Sequence, residues 1–147
     1  MALGTLLPLI IIATIGGVAI TLQAQFMGLM DKGMGSLESV FITYGSGGVL
    51  IGIAMLLNRG GNFSGWRSLP WYAFTAGFLG LIIVGTIGYS TPRLGLVTTL
   101  TILVAAQFIV GALLDHFGIL GATLRPLDLP RILGVGIMLL GVWLTVR

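Results

Sequence analysis

The sequence predicts an all-α polytopic membrane protein with five transmembrane helices. Three observations carry this. The 147 residues are 56% hydrophobic and only 7% charged, where a soluble domain is about 25% charged. Mean hydropathy is +1.12. The apolar residues collect into five stretches separated by turn-forming clusters. A soluble chain this short leaves too much surface exposed to hide so much apolar area. Strands are not expected, because an open sheet edge cannot sit in lipid.

A hydrocarbon core of roughly 30 Å needs about 20 apolar residues as helix. The first stretch, about 3–30, carries no charge. It has no basic leader and is longer than the apolar core of a signal peptide, so it reads as a retained span. DKGMGS (residues 31–36) follows as a turn. The second stretch is about 37–57, and the polar, glycine-rich NRGGNFSGWRS comes after it. The third, about 69–89, is opened by Pro70-Trp71-Tyr72, and Pro92-Arg93 marks the next turn. The fourth is about 94–114. A connection with His116, Arg125, Pro126, Asp128 and Pro130 leads to the fifth, about 131–146. Together they form a single five-helix transmembrane domain over 1–147.

Composition also excludes functions. Seven Lys and Arg give a net charge of +3, but they are scattered and make no nucleic-acid footprint. There is no cysteine and one histidine, so disulfides, thiolate catalysis and multi-histidine metal sites are out. No phosphate-binding GxxxxGK[ST] loop occurs. Asp115-His116 lacks a nearby nucleophilic motif and is no hydrolase signature. The reading is a non-enzyme with no catalytic residue, no metal and no cofactor.

Twenty-four glycines would damage soluble helices but suit close helix contact in lipid. Gly17, Gly48, Gly52, Gly77, Gly80 and Gly111 are the expected packing positions. Five spans put the termini on opposite sides. One side then holds Arg59, Arg67, Arg125 and Arg131, and the other Lys32, Arg93 and Arg147. This is almost no positive-inside bias. Either Arg59 and Arg67 fix the N-terminus inside, or the chain inserts both ways (dual topology) and two copies build an inverted pair.

The chain resembles the drug/metabolite transporter superfamily, in particular its short five-helix YdcZ-like members. The resemblance runs from Gly16 to Gly141. It rests on Gln23-Ala24 and Gly28, on Phe41 and Gly45, on Trp71, Ala76-Gly77 and Gly80, and on Pro92-Arg93-Leu94-Gly95. Gln107 with Asp115-His116-Phe117-Gly118, then Arg131, Gly134 and Gly141, complete it. Met27 and Ala106 depart from the pattern, which has Asn and Gly there. The resemblance implies half of a ten-helix inverted-repeat transporter, working as an antiparallel homodimer or with a sister subunit.

The polar groups at membrane depth are the candidate substrate contacts. Gln107, Gly111 and Asp115 are spaced i, i+4, i+8 and share a face of the fourth span. Gln25 continues a stripe through Ala13, Gly17 and Thr21, and Gln23 points roughly the other way. An unpaired amide in hydrocarbon costs roughly 2–7 kcal/mol, so each needs a partner. That partner is a neighbouring helix, or a solute in a cavity lined by Gln23, Gln25, Tyr44, Tyr89 and Gln107. No carboxylate lies mid-span, which disfavours drug–proton antiport by a buried acid. Asp115 at a helix C-terminus and Arg131 at a helix N-terminus are each misplaced against the macrodipole. They are expected to form an ion pair clamping the fourth and fifth spans. Trp66, Trp71, Tyr72 and Trp143 read as interfacial belt residues.

The function read from these residues is transport of a small molecule across a bacterial inner (plasma) membrane by alternating access. The partners are the lipid bilayer, the solute and an inverted second copy or sister subunit. The competing reading is a non-transporting accessory or assembly subunit. Glutamines satisfied within one bundle would favour the accessory subunit, and a polar cavity across two chains would favour transport.

Overall fold

The computed structural model describes residues 3–61 and 63–147. Five α-helices follow in order: α1 Leu3–Met34, α2 Ser36–Leu57, α3 Ala76–Leu94, α4 Leu96–Phe117 and α5 Leu129–Val146. No strand occurs among the described residues. Each helix, α3 together with the turn that leads into it, is long and apolar enough to cross a membrane. The chain divides into two units at the Arg93–Leu94 bond, and each is described by itself.

In the first unit, α1 does not end near residue 30. It continues through Asp31 and Lys32 to Met34. Lys32 in the last turn suits the negative end of the helix dipole, and Asp31 has partners that offset its charge. The turn is then one residue, Gly35, with φ 109° and ψ 164°, a region open essentially to glycine alone. Its N–H donates to the Asp31 carbonyl at 3.0 Å and its carbonyl accepts from Ser39 N–H at 3.2 Å. At the far end of α2 the Gly60 N–H closes back on the Met55 carbonyl at 2.8 Å, an arrangement that satisfies orphan carbonyls. Short 3-10 turns at Ser64–Ser68 and Trp71–Thr75 follow, and the second runs directly into α3. Pro92 lies inside the last turn of α3 rather than ending it, and the helix stops only before Gly95.

The three helices of this unit share a small buried core. Ala24 and Met27 of α1, Ser39 of α2, and Val84, Ile87, Gly88 and Thr91 of α3 are buried. Ser39 Oγ donates to the Met27 carbonyl at 3.2 Å. A Cβ on Gly88 would stand 3.2 Å from Met27 Cε and 3.6 Å from Ser39 Oγ. One on Gly28 would stand 3.1 Å from Thr91 Cγ2. These glycines permit the close approach on which membrane helix packing depends.

The second unit is an antiparallel hairpin of α4 and α5. Gly95 caps α4 with φ 86° and ψ 154°. Gly118 ends it in the left-handed conformation, with its N–H on the Leu114 carbonyl. The connection turns through Ile119–Gly121 and continues without regular structure to Asp128. It is tied back to α4 twice. Arg125 N–H donates to the Asp115 carbonyl at 2.8 Å, and Leu127 N–H donates to His116 Nδ1 at 3.0 Å. The fifth helix starts at Leu129, ahead of the expected Arg131, because Asp128 caps it and Pro130 sits in the first turn. Thr98 Oγ1 donates to the Thr145 carbonyl at 3.4 Å, joining the start of α4 to the end of α5.

Candidate functional site

Gln107, Gly111 and Asp115 fall on one face of α4 because helical residues four apart stack. Across that face α5 places Arg131 and Val135. These five residues, with Phe108 and Ala112, line a cavity of about 350 Å³, at the small end of ligand sites, which run about 300–1,000 Å³. Gly111 is what leaves room, since nothing lies within 4 Å of where its Cβ would be. Gln107 lies about 12 Å along α4 from Asp115. Its side chain has no hydrogen-bond partner among the described residues.

Asp115 and Arg131 are therefore brought to one cavity, yet no ion pair joins them among the described residues. Arg131 uses partners close in sequence. Its Nη1 donates to the Arg125 carbonyl at 3.1 Å, and its Nε stands 3.9 Å from Asp128 Oδ1. Asp128 is three residues earlier and already caps α5 through the Arg131 N–H at 3.1 Å, so local geometry wins. The Asp115 carboxylate keeps no partner among the described residues, although it is half-buried.

The first unit has a second cavity, about 380 Å³, lined by Gln23, Thr43, Tyr44, Gly48, Ile51 and Val84 among others. Gln23 also borders an adjoining apolar groove with Phe26 and Ile42. The Tyr44 hydroxyl presses against Gly80, so of the expected packing glycines Gly80 has a close neighbour. Gly17, Gly48, Gly52 and Gly77 have open space around them among the described residues. Gln25 is exposed on α1 and has no hydrogen-bond partner among the described residues.

Tyr89 does not join either cavity. Its ring lies 3.6 Å under the Arg93 guanidinium, and its carbonyl accepts from Arg93 Nη1. The same Nη1 lies 2.9 Å from Asp31 Oδ2, while the other Asp31 oxygen accepts from the Ser36 hydroxyl. Sequence reasoning missed this cluster, which ties together the ends of α1, α2 and α3. The available signal was that Asp31 and Arg93 fall on the same predicted side of the membrane. Trp66, Trp71, Tyr72 and Trp143 are all exposed, and Arg67 and Arg147 stack on Trp66 and Trp143 at 5.6 and 4.9 Å.

These helices can be set against known proteins. A family described as "Putative inner membrane exporter, YdcZ" matches residues 8–144. The chain belongs to this family. It is also 36% identical over 80 residues to the inner membrane protein YdcZ of Escherichia coli (strain K12). That match covers 54% of this chain, and it spans about half, 53%, of the relative's length. No solved structure matches. Family membership and five membrane-spanning helices place the chain in the inner membrane, embedded in the lipid bilayer.

Proposed function

We propose that the chain is half of a small-molecule transporter, paired with an oppositely inserted copy of itself and working by alternating access. The five helices act together as one transport unit, and the α4–α5 cavity carries the cargo. The observation that supports this most is Gln107. An amide on an apolar helix costs roughly 2–7 kcal/mol when unpaired in hydrocarbon. Gln107, Gln23 and Gln25 all lack a hydrogen-bond partner among the described residues, which speaks against an accessory role with the amides satisfied inside one bundle. A solute or the second copy supplies the missing partners.

Two further features support the pair. The exposed glycine positions Gly17 of α1 and Gly48 of α2, with half-buried Gly52, have space at the Cβ and allow close approach of another helix. Four basic residues against three on the two sides leave insertion nearly unbiased.

The test is export. Cells expressing the wild-type chain or Gln107→Leu at equal membrane levels are compared by profiling the small molecules in the medium. A solute released by the wild type and retained by Gln107→Leu is expected. The same release from both chains overturns the reading.

A further inference from the structure

Building on the transport reading, we infer that the α4–α5 cavity binds a small zwitterion, with Arg131 taking its carboxylate and Asp115 its ammonium group. Opposite charges sharing one cavity normally close on each other. Here they do not: Arg131 is held by the Arg125 carbonyl at 3.1 Å and Asp128 at 3.9 Å, and Asp115 is left without a partner among the described residues. Guanidinium has five donors in a planar fork. One hydrogen bond, to the Arg125 carbonyl, uses a donor of Nη1. The 3.9 Å contact at Nε is too long to be a hydrogen bond. The rest of the fork matches a carboxylate. Asp115 accepts only, and an ammonium group supplies donors.

A solute with one charge satisfies one end and meets repulsion at the other. A molecule with both, a few ångströms apart, pairs each. Phe108 and Val135 leave the remaining wall apolar, which suits a short hydrocarbon side chain, and Gln107 offers both a donor and an acceptor beyond it. The cavity of about 350 Å³ limits the cargo to a small molecule.

The test uses the full-length chain in lipid nanodiscs with three probes of one carbon skeleton. These are leucine, 3-methylbutylamine, which keeps only the ammonium, and 4-methylpentanoate, which keeps only the carboxylate. Losing a charged hydrogen bond weakens binding about tenfold or more, so leucine should bind that much more tightly than either analogue. Asp115→Asn should erase its margin over 4-methylpentanoate, and Arg131→Gln its margin over 3-methylbutylamine. The inference is overturned if a singly charged probe matches leucine on the wild type, if no probe binds, or if either variant keeps its margin. The wild-type comparison stands even where a variant fails to fold. Failure here with Gln107-dependent export intact removes the zwitterion assignment alone. Failure of Gln107-dependent export removes the transport reading beneath it.

Discussion

Arg93 Nη1 lies 2.9 Å from Asp31 Oδ2, joining residues 62 apart in sequence. The Asp31 side chain is only 5% exposed and that of Arg93 is 48% exposed. Ser36 completes the cluster from the start of α2. Three helix ends are thus pinned at one point, while Met27, Ser39 and Gly88 meet in the buried core of the same three helices.

Breaking this tie should loosen the first unit. Asp31→Asn removes the charge facing Arg93, and Arg93→Gln removes the fork and its stack on Tyr89. Each should lower the thermal midpoint in detergent. The double variant should lose less than the two singles summed, because contacting residues are not additive. Losses that simply add would show that the two side chains act independently.

Gly28 and Gly17 lie on the same helix and make opposite predictions. Gly28→Val drives a side chain against Thr91, where even a Cβ would be 3.1 Å from Cγ2. Overpacking of this kind costs typically about 1–3 kcal/mol. Gly17→Val meets open space and should leave the unfolding midpoint of the detergent-solubilised single chain near the wild-type value. Helix propensity changes alike in both, so the difference isolates packing. Thermal unfolding of the two variants side by side checks it.

His116 was legible only as part of the connection after the fourth span, and its partner was not. Leu127 N–H donates to its Nδ1, which holds the loop between α4 and α5 against the helix end. His116→Phe leaves that donor unsatisfied, a loss of about 1 kcal/mol for a typical hydrogen bond. Hydrogen exchange at the Leu127 amide should quicken, while amides in the middle of α4 keep their wild-type rates.

The fold class was legible because the solvent is so restrictive: apolar stretches of span length have to be helices in lipid. The helix ends were less so. Asp31 looked like the start of a turn, yet Arg93 and Ser36 offset its charge and α1 runs on to Met34. No local pattern announces a partner 62 residues away. Asp128 with Pro130 was a readable N-terminal signal that starts α5 two residues ahead of Arg131. The helical spacing of Gln107, Gly111 and Asp115 puts them on one face, and they line one cavity. The pairing of Arg131 was harder to foresee, because Asp128 competes from the adjacent turn. Which glycines pack was not legible, since spacing defines a face but not what the face meets.

A transporter built from two oppositely inserted copies needs both orientations in one membrane, and topology reports on this without knowledge of the cargo. The sequence has no cysteine, so Thr123→Cys, in the exposed loop before α5, gives a single thiol for labelling. Membrane-impermeant maleimide is applied to intact cells and to inside-out vesicles. Each preparation is expected to label a substantial share of the chains, the two shares together making up the whole. Labelling confined to one preparation would contradict it, because every copy would then face the same way.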